Sequence, residues 1–216
     1  MPSCCSTFAH TAERQFTDKK AAEELKNYLA KGPGPTTRLL VDGIAETGVL
    51  SATLLDLGAG IGALTFTLLE RGVTSAVAVD ASSAYLRVAQ KQAEQRGHTH
   101  AVRFIHADFV EAAPLLEPAS IVTLDRVVCC YPSCERLLRA ALEHADRCFA
   151  LSYPRDVWYA RLGILLENLQ RRLKRSSFRA FVHPAVQIEG AIERAGFRLF
   201  TRRRTWMWSA DVYERI

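Results

Sequence analysis

From Thr53 onward, short continuous apolar runs alternate with longer stretches whose apolar residues recur every three or four positions. A short unbroken run reads as a strand buried on both faces, and the three-four spacing as a helix with one apolar side. Strands are expected at Thr53–Leu57, Ser75–Asp80, Ala101–His106, Ala119–Asp125 and Arg147–Tyr153. The fourth is read as continuing through Arg126–Tyr131 until Pro132 stops it. Helices fall between them at Ala63–Arg71, Ser82–Arg96 and Ser133–Ala145. Gly72 and Gly97 close the first two, as residues free to turn left-handed. Strands alternating with helices predict a doubly wound, mostly parallel sheet. At the carboxyl end, Gly196–Arg204 and Thr205–Arg215 are two β-rich runs with no helix between them, which predicts an antiparallel hairpin at one end of a seven-stranded α/β sheet.

The flanks are helical. Thr17–Lys31 and Thr36–Glu46 are expected helices separated by Gly32-Pro33-Gly34-Pro35, the second with Leu39, Leu40, Gly43 and Ile44 on one face. A long amphipathic helix is expected at about 155–175, and another at Ala185–Ala195. The organisation read from this is one domain over 1–216, with a helical cap at about 1–47 and the 155–175 helix as an insertion.

Composition narrows the class. The chain has 216 residues, 49% hydrophobic and 24% charged, which suits one globular domain and excludes disordered or fibrous chains. No apolar run reaches the roughly 18 residues of a membrane span. The first residues lack a basic stretch followed by an apolar core, so a cytoplasmic location with reduced cysteines is expected. The net charge of +5 is modest, and no nucleic-acid partner is expected. Neither Cys4-Cys5 nor Cys129-Cys130 has the spacing of a structural zinc site, so no metal is assigned.

The chemistry gathers at Leu54-Leu55-Asp56-Leu57-Gly58-Ala59-Gly60-Ile61-Gly62, a strand running through glycines into a helix. Open α/β sheets bind ligands at the carboxyl ends of their strands. Glycines there let the backbone turn sharply and approach a ligand closely. Asp80 ends the next strand, where a carboxylate can accept both hydroxyl hydrogens of a ribose. The Gly-x-Gly-x-Gly spacing differs from the GxGxxG of dinucleotide sites, and Asp56 would repel a pyrophosphate, so an NAD-dependent oxidoreductase is disfavoured. Asp56 either organises the loop or meets a ligand ammonium.

Asp56-Leu57-Gly58-Ala59-Gly60-Ile61-Gly62 resembles motif I of the class I S-adenosylmethionine-dependent methyltransferases. Val77–Ser82, containing Asp80 and Ala81, resembles the segment of that family with the ribose-binding acid. His106-Ala107-Asp108-Phe109 resembles its adenine-flanking segment, where Asp108 would face the exocyclic amine. The resemblance runs in order from Thr53 to Tyr153. It implies a Rossmann-like methyltransferase fold, S-adenosyl-L-methionine as cofactor, and a cofactor site formed by Asp56, Gly58, Ala59, Gly60, Gly62, Asp80, Ala81, Asp108, Phe109 and Asp125. Leu151–Tyr159, the amphipathic helix and then His183 are similar in order to the magnesium-protoporphyrin O-methyltransferase branch. That branch has a histidine before the Tyr-Pro that follows the fourth strand; here Cys130 precedes Tyr131-Pro132. The resemblance therefore carries the fold and cofactor, and not the substrate.

A methyl acceptor is expected beyond strands four and five, near Asp125, Arg126, Cys130, Tyr131, Tyr153, Arg155 and Asp156. Tyr131, Cys130 and His183 are the catalytic candidates. Tyr131 either hydrogen-bonds the acceptor or packs, and His183 is either a base or a helix-start residue. If the fourth strand extends this far, Cys129 and Cys130 point to opposite sides. Cys130 would then bind a soft acceptor, with Cys134 and the Cys4-Cys5 pair as further thiols, or be a packed small residue. The stripe Trp158, Leu162, Leu165, Leu166, Leu169 and Leu173 has three readings: a face packed on the sheet, a lid, or a weak membrane-surface contact. Arg202-Arg203-Arg204 reads as a solvated strand edge. The function expected is methyl transfer to a small apolar or aromatic acceptor, O-methylation included. Thiol or metalloid methylation and a non-catalytic adenosylmethionine-binding subunit stand as alternatives.

Overall fold

The computed structural model describes residues 4–216, with side chains from Phe8 onward, so the Cys4 and Cys5 thiols lie outside the described residues. Three helices come first: α1 (Cys4–Gln15), α2 (Asp18–Lys31) and α3 (Pro35–Glu46). The alternating part follows as β1 (Thr53–Leu57), α4 (Ala63–Glu70), β2 (Ser75–Asp80), α5 (Ser83–Gln95), β3 (Val102–His106), the short α6 (Phe109–Ala112), β4 (Ala119–Asp125), α7 (Cys134–Glu143) and β5 (Ala145–Pro154). The chain ends with α8 (Trp158–Leu173), α9 (Ala185–Arg194), β6 (Phe197–Arg204) and β7 (Trp208–Arg215).

The strand order is β3-β2-β1-β4-β5-β7-β6. The first five are parallel, and β7 runs antiparallel between β5 and β6. This is the Rossmann-like sheet with an antiparallel carboxyl-terminal hairpin. Alternate strand residues feed two apolar layers. Leu55, Leu57, Val122 and Phe149 enter one, beside Leu137 and Leu138 of α7 and Ile188 and Ile192 of α9. Leu54, Ile121 and Ala150 enter the other, beside Leu40 and Ile44 of α3 and Phe66 of α4. Gly43 explains itself here: a Cβ would stand 2.8 Å from Val212 Cγ2, so its absence lets α3 lie close on β7.

Three departures from the sequence reading matter. Cys4–Gln15 form a separate helix inside the expected cap, ahead of the first helix that the sequence reading bounded, at Thr17. The fourth strand does not continue to Tyr131, because Arg126 adopts φ 62° and turns the chain into a 3-10 turn at Val128–Cys130. Arg202 is no solvated edge residue. Its guanidinium pairs with the fully buried Asp211 (2.8 Å) and with Glu189 (2.9 Å), while Arg203 pairs with Glu46.

Candidate active site

β1 and β4 are neighbours whose connections leave in opposite directions, which opens a crevice at their carboxyl ends. A cavity of about 320 Å³ lies there. Gly58 and Gly60, Asp80 and Ala81, Asp108 and Phe109, and Asp125 form its wall on the strand side. The glycines at 58, 60 and 62 all have left-handed φ, 68°, 59° and 82°. That conformation turns the loop so that Gly58 N and Ala59 N donate to Val79 O, at 2.8 and 3.1 Å. Gly60 N donates to Asp80 Oδ2 at 2.8 Å, and Ser82 N to Asp80 Oδ1 at 2.8 Å. One carboxylate thus ties the loop after β1 to the start of α5.

Asp56 joins the helix after the loop to the neighbouring strand. It is buried off the cavity wall and accepts hydrogen bonds from Thr65 (2.6 Å) and Thr123 (2.7 Å). Ala59 and Gly62 also lie off the wall. Asp125 accepts from Thr37 and Ser152, both at 2.6 Å. Asp108 caps α6 through Val110 N (3.1 Å) and accepts from the Tyr131 hydroxyl at 3.2 Å. Burial raises three of these carboxyls, Asp56, Asp80 and Asp108, to about 6 each. Their hydrogen-bond donors only partly offset that loss of hydration.

The other wall comes from the flanking helices. Phe8, Ala12 and Phe16 of α1, Glu24 of α2, and Ile164 and Arg171 of α8 close the crevice, with Phe178 and Met207. α1 and α2 are latched to the strand ends. Ser82 Oγ donates to Phe16 O (2.7 Å), and Ser83 N to Glu13 (2.9 Å). Glu24 joins Arg126 (3.1 Å) to the Tyr85 hydroxyl (3.0 Å). His106 approaches Glu13 at 3.4 Å and is off the wall. The sequence reading expected N-terminal helices to cap the site but placed no helix before Thr17, although Phe8, Ala12 and Phe16 recur at helical spacing.

The catalytic candidates are brought together only in part. Tyr131 and Cys130 line the cavity, but the Tyr131 hydroxyl is engaged by Asp108 and its ring lies 4.6 Å from that of Phe8. His183 is not on the wall. It stacks on Phe181 with a buried Nε2 that has no partner among the described residues, and burial lowers its pKa. Tyr153, Arg155 and Asp156 are also off the wall, held by Asp211, by the Thr205 and Trp206 carbonyls, and by Arg161. The alternation expected of Cys129 and Cys130 fails because they sit in a 3-10 turn. Both residues line the wall, and their sulfurs lie 3.7 Å apart. Cys134 does not join them, and no group of three potential metal ligands occurs among the described residues.

A family model described as a methyltransferase domain matches residues 54–150, from β1 and the glycine loop into β5. The chain has the Rossmann-like methyltransferase fold, with a methyltransferase domain matched over residues 54–150. Solved methyltransferases share its fold. Magnesium protoporphyrin IX methyltransferase from Synechocystis PCC 6803, with bound SAH, is 20% identical with a TM-score of 0.69, over 84% of this chain and 82% of that one. An O-methyltransferase family protein from Burkholderia thailandensis is 16% identical with a TM-score of 0.68, over 93% and 63%. An O-methyltransferase family 2 protein from Planctomyces limnophilus DSM 3776, in complex with apigenin, is 17% identical with a TM-score of 0.61, over 86% and 63%. No curated protein matches this chain.

The raised carboxyls give the protein a pH signature. Between the usual 3.8 and about 6, the folded chain holds protons on them that the unfolded chain has released. Their contribution to stability is therefore present at low pH and lost as pH rises through about 6. Cofactor affinity should run the other way, because ionised Asp80 is the better acceptor. Calorimetric titration with adenosylhomocysteine is expected to show affinity falling as pH drops from 7 to 5, with that slope missing in Asp80→Ala.

Proposed function

We propose that S-adenosylmethionine lies along the strand-side wall and that the acceptor is a small molecule with an apolar or aromatic body, methylated on oxygen. Each Asp80 oxygen accepts one backbone N–H and keeps a lone pair for a ribose hydroxyl. Gly58 and Gly60 leave room for the cofactor backbone, and Asp108 and Phe109 flank the adenine position. Asp125 closes that wall. The cofactor supplies an electrophilic methyl group, and the protein's task is to align donor and acceptor in a dry cleft.

The observation that carries the acceptor class is the opposing wall. Phe8, Phe16, Ile164, Phe178 and Met207 offer apolar surface, with the Arg171–Glu167 ion pair beside it. With Tyr131 committed to Asp108 and His183 away from the cavity, neither of these two residues serves as a free base for the acceptor. An oxygen that is already ionised, as in a carboxylate or an acidic phenol, needs none. That similar folds include O-methyltransferase family proteins supports oxygen as the acceptor atom.

Release of adenosylhomocysteine should be measured with aromatic carboxylic acids, phenols and small aliphatic amines side by side. Turnover is expected with the aromatic oxygen acceptors and is expected to fall in Ile164→Asp. Turnover confined to amines overturns the acceptor reading. Tight adenosylhomocysteine binding with no turnover on any acceptor would favour a non-catalytic binding subunit.

A further inference from the structure

α8 shows an unusual distribution of apolar side chains. Of its buried positions only Ala160 is fully enclosed. Trp158, Leu162, Leu165, Leu166, Leu169 and Leu173 are 76, 46, 63, 56, 52 and 78% exposed. At about 3.6 residues per turn these six share one side of the helix. Ile164 and Arg171, which reach the cavity, lie on the opposite side. The stripe therefore does not pack on the sheet, and it is not the inner surface of a lid. Trp206, 72% exposed, extends it at the amino-terminal end, where its ring stacks on Tyr159 at 6.0 Å. A contiguous apolar surface of this kind marks an interaction site.

The charges choose the partner. Arg172 projects along one flank of the stripe, and Lys174 and Arg175 follow at its end, all exposed. The nearby acids are taken: Asp156 pairs with Arg161 at 2.6 Å, and Glu167 with Arg171. A second copy laid on this face would bring the basic groups against one another. Anionic headgroups would meet them, while the leucines and tryptophans enter the acyl boundary. No helix among the described residues is long and apolar enough to cross a membrane, so the contact is with the surface.

We infer that the outward face of α8, with Trp206, docks the protein on an anionic bilayer surface. α8 then stands between the bilayer and the cavity it walls.

Co-sedimentation of the full chain with vesicles tests this. Binding to phosphatidylcholine vesicles containing phosphatidylglycerol is expected, with little on phosphatidylcholine alone and a decline as salt is raised. Leu165→Glu/Leu169→Glu, and separately Arg172→Glu/Lys174→Glu/Arg175→Glu, should each weaken binding by about tenfold or more. Adenosylhomocysteine affinity should be unchanged in both, which shows that they fold. Three results overturn the inference: wild type left in the supernatant, equal binding to neutral vesicles, or full binding by the leucine variant. A wild-type dimer in sedimentation equilibrium that Leu165→Glu/Leu169→Glu splits also overturns it, by assigning the face to self-association.

Discussion

Replacing Asp80 with alanine is expected to weaken adenosylhomocysteine binding by about 3 kcal/mol or more, at least a hundredfold, from two lost hydrogen bonds to a charged acceptor. The loss has a second source. Asp80 also accepts the Gly60 and Ser82 N–H groups, so its removal loosens the loop that the cofactor lies on. Asparagine is not a conservative substitute here. One end of an amide is a donor, and both carboxylate oxygens already face backbone donors, so either orientation sets N–H against N–H. Asp80→Asn should therefore also bind more weakly than wild type. Stability should change little, because burial already holds this carboxyl at about 6 and removing it relieves that cost. Calorimetry with a melting curve on each variant checks both statements. Wild-type affinity in Asp80→Ala would remove Asp80 from the cofactor site.

The sheet was legible because buried parallel strands are short apolar runs and their helices carry a different period. The glycine loop and Asp80 were legible because their backbone demands leave few residue choices. The end of β4 was not. Val127-Val128-Cys129-Cys130 has the composition of a strand, and the left-handed turn that ends β4 falls on Arg126, a residue type rarely found there. The two thiols on the wall follow from that turn and not from strand alternation. Periodicity placed the α8 stripe on one side of a helix but says nothing of what that side touches. Exposure in the fold removes the reading of that side as packed on the sheet. Asp56 was read as a loop organiser or an ammonium contact; the hydroxyls that hold it come from Thr65 in α4 and Thr123 in β4, the second distant in sequence.

The three loop glycines should respond differently to a single methyl group, and the difference separates binding from folding. Gly60 has φ 59°, and a Cβ there would meet only Tyr85, at 3.6 Å. Gly60→Ala thus carries the left-handed penalty of about 1–2 kcal/mol and no collision within the protein. Its methyl stands on the cavity wall, so adenosylhomocysteine affinity should fall roughly tenfold or more, as an extra methyl in a filled site costs about 1–3 kcal/mol. Gly62 lies off the wall with φ 82°, and a Cβ would stand 2.5 Å from Phe66 Cε2. Phe66 is fully buried in the core, with His98 stacked at 6.3 Å and the Arg96 guanidinium 5.4 Å from its ring, so it has nowhere to go. Strain and overpacking together should cost Gly62→Ala about 3 kcal/mol or more, a fall in Tm of roughly 6–12 °C. The expected pattern is weak binding with the smaller fall in Tm, roughly 2–8 °C, for Gly60→Ala, and the larger fall in Tm with near-normal affinity in the folded fraction for Gly62→Ala. Melting curves and calorimetry on the two proteins check it, and equal losses in both quantities would show that the loop responds as one rigid unit.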